Sequence, residues 1–179
     1  TILKETNIYR VRLSSLEVGE IDNDMVELFD DSRLCRHLHI PLQSGDDRIL
    51  GAMRRNYSSS DFARKIKRLL AKIPNISIGT DIIVGFPSES DVQFMNTYRL
   101  LDKLQLSYLH IFSFSPRPGT AAGEMPHMVP SYVVKERMRI LQALNVVKKS
   151  HYAEKFKGKE LDVLIEGFDE GYIGVSDNY

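Results

Sequence analysis

The chain is poor in cysteine, carries no surplus of charge and has no long apolar run. Cys35 is the only cysteine in 179 residues, which excludes an internal disulfide and any cluster held by three or four thiolates of this chain. Lysine and arginine number 24, as do aspartate and glutamate. The charge is therefore balanced, and no bulk attraction to nucleic acid or anionic membrane follows. No apolar stretch approaches the roughly 20 residues of a membrane-spanning helix, and the opening Thr1-Ile2-Leu3-Lys4-Glu5-Thr6 has no signal-peptide pattern. A soluble, cytoplasmic protein is expected. Low-complexity segments and close internal repeats are also lacking.

What is present is one form used three times: an apolar, β-rich run that ends in a small, polar turn marked by glycine or proline. The runs are His37–Gly45, Thr80–Glu89 and Leu109–Thr120. Buried parallel strands read as short apolar runs, and groups at their carboxyl ends face the crevice where α/β folds bind ligands. Between them lie helical patterns. Phe62, Ile66, Leu69, Leu70 and Ile73 recur at i, i+4, i+7, i+8 and i+11 behind candidate caps Ser58 to Ser60, and Pro74 ends the run. Phe94, Tyr98 and Leu101 share a second face. Val134, Met138, Leu141 and Leu144 mark a long helix to about 155. Tyr9–Leu16 alternates like a first strand, and Asp22 can cap a short helix that buries Met25, Val26 and Phe29. Strand and helix alternating at this spacing predict parallel β/α units. From about 156 the period changes to two: Leu161, Val163 and Ile165 alternate with Asp162 and Glu166, residues 167–171 supply a loop, and Tyr172–Val175 returns.

Some residues stand out chemically. Gln43 and Ser44 bring an amide and a hydroxyl to a strand exit. Asp81 interrupts an apolar run, and an ionised carboxylate is rarely buried without a partner; that partner is a ligand or a structural arginine. Ile83, Val84 and Gly85 are either core or a surface on which a flat ligand lies close to the backbone. Arg117, stiffened by flanking prolines, can present a bidentate fork to a carboxylate or phosphate. Glu17 ends the first run, as a ligand for an amino group or as a turn residue. His37 and His39 point the same way on a strand, but no third metal ligand is adjacent in sequence, so a packed or lumen-lining role is expected and no metal site is assigned. His110 reads as a strand residue and Cys35 as a small, semi-buried thiol.

These segments resemble the methylthiotransferases of the radical S-adenosylmethionine superfamily. That family carries a strand like His37-Leu38-His39-Ile40-Pro41-Leu42-Gln43-Ser44-Gly45, then an M-x-R-x-Y signature matched by Met53 to Tyr57. It also has a strand like Thr80–Glu89 and a strand exit like Phe114-Ser115-Pro116-Arg117-Pro118-Gly119-Thr120-Ala121-Ala122. The resemblance spans nearly the whole chain. Residues 12–17 look most like the branch acting on threonylcarbamoyladenosine beside the tRNA anticodon. The branch acting on isopentenyladenosine, one acting on a ribosomal-protein side chain, and a non-catalytic RNA-binding module remain open.

The resemblance implies an α/β fold: residues 1–155 as the C-terminal portion of a partial (β/α) TIM-like radical SAM barrel, and 156–179 as the first hairpin of a small TRAM-like β-barrel. It implies S-adenosylmethionine as cofactor, with Glu17, Gln43, Ser44, Asp81, Ile83, Val84, Gly85 and Arg117 around it. Two 4Fe-4S clusters are implied for the full-length protein, with ligands outside this chain, so that this chain alone is expected to be inactive. The implied partners are a tRNA substrate and an electron donor for cluster reduction, with no membrane. Catalytic residues stay unassigned. Eight lysines and arginines against Glu136 and Glu154 between Lys135 and Lys159 point to phosphate contacts, with Lys148, Lys149, Lys155 and Lys157 as the RNA-binding candidates. The family's three-cysteine cluster loop is absent, and Ser88 stands where the family usually has glycine.

Overall fold

The computed structural model describes residues 2–178. Three parallel strands, β1 (His37–His39), β2 (Ser77–Val84) and β3 (Tyr108–Ser113), form one sheet in that spatial order. The helices are α1 (Ile2–Glu5), α2 (Asn23–Glu27), α3 (Asp47–Ala52), α4 (Ser59–Lys72), α5 (Asp91–Lys103) and α6 (Ser131–Glu154). Each long connection between strands carries a helix, as parallel neighbours require.

Side-chain alternation divides the sheet into two faces. Leu38 and Ile40, then Ile78, Ile82 and Val84, then Leu109 face the helices and are buried. Phe62, Ile66 and Leu69 of α4, Phe94 and Leu101 of α5, and Leu141 and Leu144 of α6 close over them. The opposite face carries His37, His39, Gly79, Asp81, Ile83, Tyr108, His110 and Phe112. It is the chemically distinct side.

The helix ends are set by local chemistry. Asp22, Asp46, Ser58 and Ser90 each accept hydrogen bonds from first-turn amides, in the manner of N-caps. Lys148, nearly buried on α6, donates to the Leu104 carbonyl at the end of α5 at 2.8 Å, a cation at a helix C-terminus.

Two expected strands are cut short. The run 9–16 makes only isolated bridges, Val11 to Leu34 and Ser15 to His39; its Arg10 and Arg12 side chains instead donate to the Val175 and Ser176 carbonyls. The second strand stops at His39: the Ile40 amide still donates to Gly79 O at 2.9 Å, but the Thr80 hydroxyl then donates to Ile40 O and accepts from Leu42 N, and pairing resumes only where Gln43 bridges Ile82. Pro41, with no amide, offers none to the 9–16 run on the other edge. The period-two tail folds as expected into an antiparallel hairpin, β4 (Val163–Phe168) with β5 (Tyr172–Ser176), bulged between Ile165 and Gly167. Its apolar residues Ile165, Phe168, Tyr172 and Ile173 are exposed. No helix among the described residues is long and apolar enough to cross a membrane.

Candidate functional site

Of the residues singled out in the sequence, Gln43 and Ile83 meet at one cavity at the strand exits. Gln43 takes a left-handed φ of 70° and is held there by its own backbone: its amide donates to Asp81 O at 2.8 Å, and its carbonyl accepts from Ile83 N at 2.9 Å. Gln43 and Ile83 line an open cavity of ≈ 360 Å³, together with Ala52 to Arg55, Phe86, Ala121, Ala122 and Met125. Apolar walls with a few converging polar groups are the usual composition of a small-molecule pocket of this size. Glu17 stands beside it, ion-paired with Arg55 at 2.8 Å. Tyr57 ties the M-x-R-x-Y turn to the Pro41 and Leu42 carbonyls, both at 3.2 Å.

Other candidates lie elsewhere. Ser44 is fully buried and its hydroxyl serves the turn, contacting Thr97 Oγ1 at 3.3 Å and accepting from Asp46 N at 3.2 Å. Val84 is in the core under the helices. Gly85, at φ 78°, is approached closely, but by protein: a Cβ there would lie 2.5 Å from Val134 Cγ2 of α6. Its amide donates to Glu89 Oε2 at 2.9 Å, and Arg137 Nη1 donates to the same oxygen at 2.7 Å. Burial pushes the Glu89 carboxyl up, against the opposing pull of the Gly85 amide and Arg137. Arg117 is exposed on its loop.

Ser88 adopts a φ of 64°. That is the left-handed region glycine enters without strain, so the turn keeps the shape a glycine would give it.

On the helix-free face the sheet assembles a polar chain that sequence spacing does not show. His37 Nε2 lies 2.8 Å from Tyr108 Oη, His39 Nδ1 3.3 Å from the same oxygen, and His39 Nε2 2.8 Å from Asp81 Oδ1. His110 Nδ1 lies 3.4 Å from Asp81 Oδ1. The Tyr108 ring fills the space above Gly79, where a Cβ would come within 2.1 Å of it. Burial, with the Arg12 guanidinium beside it, holds His37 down to about 4, so its ring is neutral at neutral pH. The partner of Asp81 is thus histidine, not arginine. The signal available in the sequence was a polar residue at alternate positions of three adjacent strands; only the register made them neighbours.

The basic segment needs correction. Lys148 is a buried helix cap, and burial lowers its ammonium, so it is no phosphate ligand. Arg137 is buried against Glu89 and Asp91. Lys149, Lys155 and Lys157 are exposed; Lys157 pairs with Glu154 at 3.1 Å, and Lys155 lies over the Tyr152 ring at 5.7 Å. Cys35 is buried to 1% exposure, and burial raises its thiol.

Parallel β/α layering with a polar-rimmed cavity at the strand exits defines a partial β/α barrel whose candidate site lies at its carboxyl-terminal face. A family model described as the Radical SAM superfamily matches residues 2–101. The chain belongs to the radical SAM superfamily. It is 44% identical over 175 residues to a threonylcarbamoyladenosine tRNA methylthiotransferase, MtaB, of Thermotoga maritima, covering 92% of this chain and 40% of that protein. It is 42% identical over 173 residues to a tRNA-2-methylthio-N(6)-dimethylallyladenosine synthase of Syntrophus aciditrophicus, covering 94% of this chain and 37% of the relative. The chain thus spans about 40% of the length of these curated relatives. Among solved structures, the coproporphyrinogen III oxidase HemN of Escherichia coli, a radical SAM enzyme, superposes with a TM-score of 0.65 at 15% identity over 77% of this chain and 32% of its own. That likeness concerns the fold alone.

The donor set suits part of what the superfamily's name implies. An adenosyl group bearing an amino-acid tail needs an apolar slot and a polar rim, and Ile83, Phe86 and Met125 beside Gln43 and Arg54 offer both. An iron–sulfur cluster needs three or four thiolates. The single buried Cys35 does not fit it.

Proposed function

We propose that this chain is part of a radical SAM tRNA methylthiotransferase that adds a methylthio group to threonylcarbamoyladenosine next to the anticodon. The observation that carries the reading is the cavity where the left-handed Gln43 and the lumen-facing Ile83 meet the Met53–Arg55 turn. It joins the three motifs at one place. The MtaB relatives and residues 12–17 favour threonylcarbamoyladenosine; the dimethylallyladenosine synthase relatives support the second substrate.

S-adenosylmethionine, when bound, supplies both the radical and the methyl chemistry. The chain's own part is to bind and orient it. Gln43 offers its carboxamide to the ribose or the amino-acid end, while Ile83 and Phe86 provide walls for the adenine. Glu17, already paired with Arg55, is placed to meet an amino group. Asp81 lies on the lumen side below Ile83, and Arg117 brings a cation from the exit loop of β3. Ser44, Val84 and Gly85 act from behind, fixing the backbone that presents Gln43 and Ile83. The clusters take their ligands from residues outside this chain, and no step through them is assigned to its residues. Residues 156–179 open a TRAM-like β domain, and Lys149, Lys155 and Lys157 contribute to the tRNA surface. An electron donor completes the partners, in the cytoplasm.

The test is made in the full-length protein after cluster reconstitution. Gln43→Ala and Arg117→Ala should each weaken S-adenosylmethionine cleavage while leaving the melting temperature nearly unchanged, since both residues lie at the rim. Sharply lower melting with unchanged turnover would remove both from the site. Nucleoside analysis of tRNA bearing threonylcarbamoyladenosine or dimethylallyladenosine decides the substrate.

A further inference from the structure

The helix-free face of the sheet holds a second constellation, made of residues that do not line the cavity. β1, β2 and β3 each contribute one metal-ligating group at adjoining register positions: His39 opposite Gly79, and Asp81 opposite His110. One ligand atom from each of His39, Asp81 and His110 lies within 4.8 Å of the others. We propose that these three residues bind a divalent d-block cation of the zinc type, with open coordination positions toward the lumen.

The distances suit such an ion. With metal–ligand bonds of about 2.1 Å, neighbouring donors stand about 3.0 Å apart at right angles and about 3.4 Å apart in a tetrahedron. Asp81 Oδ1 is 2.8 Å from His39 Nε2 and 3.4 Å from His110 Nδ1. The gap between the two imidazoles is wider and closes by turning His110, whose side chain is 53% exposed. Two imidazoles and one carboxylate select zinc or a neighbouring transition metal over magnesium or calcium, which require oxygen.

The outer layer fits the same reading. A metal-bound histidine usually engages its second ring nitrogen in a hydrogen bond that fixes the ring. His39 Nδ1 faces Tyr108 Oη at 3.3 Å, and that hydroxyl is itself 2.8 Å from His37 Nε2. Three protein ligands with the remaining positions open is the pattern of sites that take water or a substrate atom as the fourth ligand. The bland alternative is a His39–Asp81 hydrogen bond that merely satisfies two lumen groups. It leaves no role for His110, which could point to water but turns Nδ1 toward the same carboxylate oxygen.

The experiment uses the metal-free 179-residue chain, so that no iron–sulfur cluster competes. Zinc is titrated against a chromophoric chelator, and cobalt(II) absorption reports the coordination. One equivalent should bind in the micromolar range or tighter. His110→Ala, at an exposed position, should weaken binding at least tenfold with unchanged melting of the metal-free chain, and Asp81→Asn should do likewise. The control His127→Ala/His151→Ala removes the other histidines outside the lumen and should bind as the parent does. Wild-type affinity in His110→Ala, or no zinc bound at about 100 μM, overturns the proposal.

Discussion

Arg137→Met probes the buried ion pair that fixes the turn after β2. Arg137 and Glu89 side chains are 5% and 2% exposed, with Nη1 to Oε2 at 2.7 Å. Arg137 also donates to the Glu89 carbonyl at 3.1 Å and lies 5.3 Å from the Phe94 ring. Methionine keeps the apolar stem but leaves the Glu89 carboxylate buried with only the Gly85 amide. Removing one partner of a buried pair costs about 3–5 kcal/mol. The second pairing, to Asp91 with its 90% exposed side chain, adds at most about 1 kcal/mol. Urea unfolding followed by circular dichroism should therefore show a loss of about 3–5 kcal/mol at pH 7.5. In Arg137→Met/Glu89→Gln the charge is gone while the amide oxygen still accepts from Gly85, and about half of the loss should return. Acidity supplies a further check. Burial already raises the Glu89 carboxyl in the folded state, and without Arg137 it rises further. A carboxyl with a raised folded-state pKa binds more protons folded than unfolded, so its stability contribution falls as pH rises through that window. The deficit of Arg137→Met should accordingly be smaller at pH 5 than at pH 7.5. A loss under about 1 kcal/mol, or a double variant no more stable than the single, would refute the reasoning.

Gly85→Ala adds left-handed strain to a Cβ placed 2.5 Å from Val134 Cγ2; it should cost about 2–4 kcal/mol by thermal or urea melting. Ser88→Gly relieves the strain of φ 64° and should raise stability by up to about 1 kcal/mol, whereas a fall would mean the hydroxyl holds the turn. Lys148→Gln should lower melting without altering tRNA affinity in the full-length protein, while Lys149→Glu/Lys155→Glu/Lys157→Glu should weaken binding and flatten its salt slope by roughly one unit per lost contact; the opposite pattern would return Lys148 to the RNA surface. Burial pushes the Tyr152 phenol up to about 12. Since an acid with a raised folded-state pKa disfavours the folded form as it ionises, stability should fall from pH 10 toward 12, and Tyr152→Phe should flatten that fall in urea melts.

Much of the molecule was legible in the chain because it depends on local chemistry. Apolar spacing and the caps Asp22 and Ser58 mark where helices start, the three strand-then-turn runs place the parallel sheet, and Gln43 and Ile83 stand at the exits where the cavity forms. Cys35, being alone, rules out a cluster of its own before any fold is known. Tertiary structure decided the rest. Whether Tyr9–Leu16 becomes a strand depends on a neighbour's free edge, and the amide missing at Pro41 limits that edge. Lys148 and Lys149 are adjacent in sequence, yet one caps α5 and the other meets solvent; Lys148 continues the Leu141–Leu144 face, but only the packing of α5 against α6 brings the Leu104 carbonyl to it. His39, Asp81 and His110 are separated by dozens of residues; the register of β1, β2 and β3 brings them together, and register is a property of paired strands that no single strand carries.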